Sequence, residues 1–207
     1  MLRPMAPDSP RIAPGSRADI GRVNFAIARA LGAAAGSGRP PNLFTTLARH
    51  RSLFRKWLRF AGALMPGGVL PREDSELLIL RVAHNCDCEY EWRHHERLGE
   101  QAGLTGEEVQ RVRLGPAAEG WSPRRVTLLR AADELHAERR VSDESWSSLS
   151  ELLTDAELIE LCMLVGHYEM LAMTLNSLAV EPDPAGEGSP PRALRMLQSA
   201  IERRSSS

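Results

Sequence analysis

Residues 76–95 read ELLILRVAHNCDCEYEWRHH. Leu77, Leu78, Leu80 and Val82 give the first half the broad apolar face of a packed helix. In the second half, Cys88, Glu91 and His95 are separated by three and four residues. On a helix this spacing puts a thiol, a carboxylate and an imidazole on one face, within side-chain reach of each other. Residues 85–87 are the candidate break between the halves. Glu76 joins the trio only if the two segments pack together. By spacing alone it reads as a charge at a helix N-terminus.

The same period extends along the chain in both directions. Pro71 suits the first turn of a helix over 71–84, with Glu73, Asp74 and Glu76 at its positive end. Pro40-Pro41-Asn42 opens a single helical stretch over 43–65, closed by Pro66-Gly67-Gly68. Ile20, Val23, Ile27 and Leu31 set a helix over 19–35 that stops at Gly36-Ser37-Gly38. Downstream, 88–101 continues helically to Gly103, and Thr105 with Glu108 starts a short helix over 105–113. Ser122-Pro123 begins another helix, 142–149 follows, and Thr154 with Glu157 caps a long segment to 180 rich in Leu, Met and Ala. No stretch alternates with period two. The expected fold is therefore an all-α, single-domain helical bundle. Its expected organisation is a disordered arm over 1–17, a helix and linker over 18–41 and a helical domain over 42–181. A linker and tail helix would fill 182–207, the tail helix over 193–203.

The bulk numbers narrow the function classes. The chain has 207 residues, 43% hydrophobic and 26% charged, the composition of an ordinary globular domain. A net charge of −1 gives no electrostatic case for nucleic acid or an anionic membrane, and 5% aromatic residues argue against a base-stacking surface. Three cysteines are too few for a disulfide framework and fit the reducing cytoplasm. Prolines at 4, 7, 10 and 14 leave no apolar core for a signal peptide. No apolar run approaches the roughly 20 residues of a membrane span. The expectation is a cytoplasmic protein acting on a small molecule, with neither nucleic acid nor membrane as partner.

Each reactive group has a chemical and a bland reading. If Asn85 or Asp87 caps the following helix, Cys88 lies in its first turn, where orphan N–H groups lower a thiol pKa. Otherwise Cys88 is a small packed thiol. Glu91 in a partly dry cleft would act as general acid or base, whereas on the surface it is solvated. His95 could relay a proton with Glu91 fixing its tautomer. His94, rotated about 100° away, is the blander of the two. Cys86 and Cys88 form a C-x-C pair whose disulfide would be strained. Cys88, Glu91 and His95 could also supply three metal ligands, a weaker set than most such sites use. Cys162 and His167 read as core residues, although His167 or Tyr168 could line a pocket. The chain has no Gly-rich phosphate loop, GxSxG, HExxH or CxxC.

The order Glu76-x11-Cys88-x2-Glu91-x3-His95, followed by LCMLVGHYEMLAMTLNSL at 161–178, resembles the carboxymuconolactone decarboxylase and alkylhydroperoxidase-D superfamily over roughly residues 42–181. The resemblance implies an all-α fold and trimers or hexamers with sites near subunit contacts. In the thiol-peroxidase branch the pattern is Glu-x11-Cys-x2-Cys-x3-His, a proton relay and a redox dithiol. Glu76, Cys88 and His95 match it, and Glu91 stands where the second cysteine would be. The decarboxylase branch carries Glu-x3-His, matched by Glu91 and His95, and works on small carboxylated lactones without metal or organic cofactor. By that resemblance Glu91 and His95 are the acid/base pair, and Glu76 orients His95 or Cys88. Cys88 lines the pocket or donates a proton, and Tyr90 and Trp92 shape an apolar wall. The leading expectation is a cofactor-independent acid/base enzyme whose catalytic residues are Glu76, Cys88, Glu91 and His95. The alternatives are a thiol peroxidase using Cys88 and a non-catalytic oligomeric helical module.

Overall fold

The computed structural model describes residues 9–184; the expected tail helix and part of the N-terminal arm lie outside them. The described residues are all-α. Their helices are α1 (Arg17–Ala34), α2 (Asn42–Leu47), α3 (Arg51–Leu64), α4 (Arg72–Asn85), α5 (Glu89–Ala102), α6 (Gly106–Val112), α7 (Pro123–Glu138), α8 (Asp143–Ser150) and α9 (Asp155–Leu178). They divide into two compact units, one of Leu58–Ala179 and the other of residues 9–57 with 180–184.

In the N-terminal unit, Ser16 and Asp19 form a reciprocal capping box, which starts α1 two residues earlier than the apolar period suggests. Residues 9–14 are irregular, and Gly15 N–H donates to the Thr45 carbonyl at 3.1 Å. The single helix expected over 43–65 is two helices. The chain turns at 48–50, and the His50 ring accepts the Leu53 N–H at 3.4 Å, capping α3 afresh. The apolar period survives the turn because Phe44, Phe54 and Trp57 converge on one aromatic cluster with ring centroids 6.2–6.4 Å apart.

The larger unit is built around α4, where Leu77, Leu78, Ile79, Leu80 and Val82 are all fully buried. Helices α5, α7 and α9 pack on it. Residues 77–83 are apolar apart from Arg81, the pattern of a central core segment. Arg81 bridges both carboxylate oxygens of Asp133 on α7, and Asn85 donates to the same carboxylate at 2.8 Å. The end of α4 is thereby fixed against α7.

Helices α4 and α5 form an antiparallel hairpin joined by three residues. Cys86 closes α4, Asp87 takes a left-handed conformation (φ 51°), and Cys88 is the N-cap of α5. Gly103 (φ 117°) ends α5 in the left-handed conformation that glycine adopts without strain. Gly99 lets the two helices approach: a methyl group there would sit 3.3 Å from Leu80 and 3.8 Å from the Cβ of Glu76.

Helix α9 corrects one expectation. Its 24 residues are long and apolar enough to cross a membrane by length and composition. More than half of its most apolar window is buried, however, and Leu161, Leu164, Val165, Ala172 and Leu175 complete the core around α4. It is a core helix of the bundle.

Candidate active site

The α4–α5 hairpin brings Glu76 to His95. Glu76 is fully buried, and its Oε2 lies 2.6 Å from His95 Nδ1. Its other oxygen pairs with Arg72, one turn earlier on α4, at 2.8 Å. The reading of Glu76 as a mere N-terminal charge is therefore replaced. A carboxylate out of water needs such partners, and here an imidazole and a guanidinium supply them. The bond also fixes which His95 nitrogen faces Glu76, leaving Nε2 for other work.

His95 is paired with Glu76 rather than with Glu91, contrary to the expected Glu91–His95 couple. Glu91 is buried, not solvated, and neither of its carboxylate oxygens finds a well-formed hydrogen bond. Burial pushes its carboxyl up to about 8; the nearby Cys88 thiol opposes that rise and Glu169 adds to it. At neutral pH the group holds its proton and is a competent general acid.

The expected activation of Cys88 is not found. Cys88 is itself the N-cap, not a first-turn residue, and the Glu91 and Tyr90 N–H groups that face its sulfur lower the thiol pKa less than burial raises it. It is buried, and burial, with Glu91 beside it, pushes the thiol up to about 12. A thiol next to a carboxyl in a dry site keeps its proton.

Tyr168 of α9 packs against the site. Its ring meets that of His95 edge-on at 5.1 Å. Burial raises its phenol pKa, and the Glu76 and Glu91 carboxylates raise it further. His167 packs edge-on against Phe60 at 5.3 Å, and burial holds it down to about 4, in keeping with its core reading. His94 is half-buried against His95, and burial drives it down to about 3.

A cavity of about 340 Å3 opens beside the hairpin turn, lined by Ala83, His84, Asp87, Cys88, Glu89, Trp92 and Arg113. Of the four sequence-predicted site residues only Cys88 reaches it. The Arg113 guanidinium lies 3.7 Å over the Trp92 ring, in cation–π contact, and brings positive charge to the wall. Trp92 thus lines the cavity as expected, whereas Tyr90 is buried and outside the lining.

A second polar cluster had no signal in the local spacing. Cys86 Sγ lies 3.2 Å from Glu169 Oε1 and 3.9 Å from His136 Nδ1, and His136 Nδ1 is 2.6 Å from the same Glu169 oxygen. Its members come from the hairpin turn, α7 and α9. Only tertiary contact unites positions 86, 136 and 169. All three cysteines are free thiols, so the C-x-C pair is not a disulfide.

The helical bundle is the fold of alkylhydroperoxidase-D-like proteins. Residues 51–134 match the model of the Carboxymuconolactone decarboxylase family, and the chain carries no CxxC pair. Several solved structures share the fold, three of them as follows. One is the alkylhydroperoxidase AhpD core of an uncharacterized peroxidase-related protein from Ralstonia eutropha JMP134, with TM-score 0.71 and 19% identity over 83% of this chain and 93% of that one. An uncharacterized peroxidase-related protein from Silicibacter sp. TM1040 gives 0.70 and 16%, covering 92% and 97%. The debrominase Bmp8 gives 0.71 and 14%, covering 84% and 92%. No curated protein matches the chain.

Proposed function

We propose that this protein is a cofactor-independent acid/base enzyme acting on a small carboxylated lactone or related carbonyl compound. The observation that carries the reading is a buried Glu91 carboxyl, its pKa pushed up to about 8 by burial, on the same helix as a Glu76-anchored His95. The substrate occupies the cavity. Its carboxylate leaves as carbon dioxide, and the bonding pair remains as an enolate conjugated with the carbonyl. Arg113 supplies positive charge for that developing oxyanion. Cys88 delivers its S–H proton to the carbanionic carbon and takes the Glu91 proton in exchange. His95, oriented by Glu76, restores the proton to Glu91 and takes its own from solvent, so one solvent proton is consumed for each carbon dioxide released. Proton transfers by positioned groups of this kind contribute about 10²–10⁴-fold.

The test is turnover of a panel of small carboxylated lactones in deuterium oxide, following carbon dioxide release and deuterium at the vacated carbon. Wild type is expected to turn over at least one of them with deuterium incorporated, and Glu91→Gln to lose about 10²–10⁴ in kcat. Absence of turnover, together with rapid peroxide oxidation of Cys88, would overturn the reading.

A second reading is favoured by the access of Cys88 to the cavity, and by relatives that are peroxidase-related or a debrominase. In it the Cys88 thiolate attacks peroxide to form a sulfenic acid and water, and Cys86 or an external thiol then reduces it. The raised thiol pKa counts against it. Mass spectrometry of the reduced protein after peroxide separates the two: selective Cys88 oxidation favours the thiol, inertness the acid/base site. A buried Glu91 outside any ion pair and an open cavity both count against an inert helical module.

We extend the proposal to a cytoplasmic homo-oligomer. Ile159, Met163, Met170 and Met173 form an exposed apolar stripe at helical spacing on α9. Light scattering is expected to give an assembly that Met170→Glu weakens.

A further inference from the structure

The Cys86–His136–Glu169 cluster lies outside the acid/base set and has a use of its own. We propose that it is a binding site for a divalent zinc ion, held by Cys86 Sγ, His136 Nδ1 and Glu169 Oε1 with a fourth position open to solvent. The inference is independent of the acid/base reading.

The donors are those that zinc prefers, one thiolate, one imidazole and one carboxylate. Their three ligand atoms lie within 4.8 Å of one another. Around a tetrahedral zinc, with bonds of roughly 2.0 Å to nitrogen and oxygen and about 2.3 Å to sulfur, such atoms stand about 3.3–3.6 Å apart. The observed separations, 3.2, 3.9 and 2.6 Å, bracket that spacing. The shortest is the His136–Glu169 hydrogen bond. Ligation of zinc by both atoms would replace that bond.

The surroundings suit a metal site. Arg139 reaches the other carboxylate oxygen, Glu169 Oε2, at 3.3 Å and leaves Oε1 to the ion. Outer partners of this kind orient ligating carboxylates. Arg139 is 70% exposed, so its charge is screened by water. Asn176 donates to the Cys86 carbonyl at 2.8 Å, and Asn85 is tied to Asp133, so the turn carrying the thiol is fixed from two sides. His136 is 34% exposed, giving the ion a way in and a water its coordination position. Protein ligands numbering three plus an open position are the pattern of catalytic rather than purely structural zinc.

Binding balances as an exchange. Zinc(II) replaces the Cys86 thiol proton, which leaves to solvent. The His136 proton moves from Nδ1 to Nε2, and the ring ligates through the freed Nδ1 lone pair. No electron is transferred.

The test uses the full chain, reduced and stripped with a chelator, then titrated with zinc alone against a chromophoric competitor and with cobalt(II) alone by absorption. One equivalent of zinc is expected to bind, and cobalt to give a thiolate charge-transfer band with the strong visible bands of four-coordination. Cys86→Ser is expected to abolish the charge-transfer band and to weaken zinc by more than about 100-fold, beyond the range lost with an outer-shell partner. His136→Ala is expected to weaken zinc comparably, and it keeps the test open if Cys86→Ser misfolds. Cys88→Ser is expected to leave the band in place. Failure of wild type to bind zinc, or a band that survives Cys86→Ser or disappears with Cys88→Ser, overturns the proposal. Lactone turnover enters neither readout, so this inference and the acid/base reading can fail separately.

Discussion

His95 and His136 each place Nδ1 2.6 Å from a glutamate oxygen, yet the two pairs live in different solvents. The His95–Glu76 side chains are 8% and 0% exposed; those of His136 and Glu169 are 34% and 10%. In the first pair the second carboxylate oxygen meets Arg72, one turn away on the same helix, whose side chain is 40% exposed. In the second it meets the exposed Arg139, and a thiol closes the third side. The same bond therefore serves opposite ends. Deep burial makes the first pair a rigid holder for an imidazole; the open flank of the second makes it a place where a cation can replace a proton.

The comparison can be broken by mutation. The largest effect is expected on activity: Glu91→Gln keeps the shape but removes the transferable proton, lowering kcat by about 10²–10⁴ in a lactone assay. Next comes stability of metal-free protein in urea. Glu76→Ala leaves His95 and Arg72 without their buried partner and is expected to cost about 3–5 kcal/mol. His136→Ala removes a half-exposed partner and is expected to cost about 1 kcal/mol or less. Equal losses would show that burial does not separate the pairs.

The pH dependence sharpens the same point. Glu91 titrates near its ordinary 4.5 in the unfolded chain and near about 8 when folded. The folded state therefore binds the extra proton between those values. The stability that Glu91 contributes is complete below the lower value and is lost as pH rises through the upper one, by at most roughly 1.4 kcal/mol per pH unit. Urea melts of metal-free wild type are expected to decline over that window, and those of Glu91→Gln to decline less. Parallel curves would contradict a raised carboxyl. The smallest effect is expected from Gly99→Ala, whose methyl presses on Leu104 at 3.1 Å and on Leu80. A loss of about 1 kcal/mol, with a small fall in kcat, would reflect a hairpin eased apart at Glu76.

The helices were largely legible in the sequence because their signals are local. Thr105 with Glu108 and Thr154 with Glu157 cap where expected, and Gly103 stops α5. The break inside 43–65 was hidden because the aromatic period runs through it. The first site was half legible. Cys88, Glu91 and His95 share one segment, but whether Glu76 reaches His95 depends on how tightly α4 and α5 pack. The thiol environment was misread because capping at Cys88 is settled by Asp87 turning left-handed, which takes Cys88 out of the first turn. The Cys86–His136–Glu169 cluster spans 83 residues of sequence and left no periodic trace.

The most direct measurement is the carboxyl stretch of Glu91, taken as the infrared difference between metal-free wild type and Glu91→Gln across a pH titration. A protonated band that persists through neutral pH and disappears near 8 is the expected result. A band lost near the ordinary carboxylate value would mean that Glu91 is ionised at neutral pH, and the acid/base account would fail at its first step.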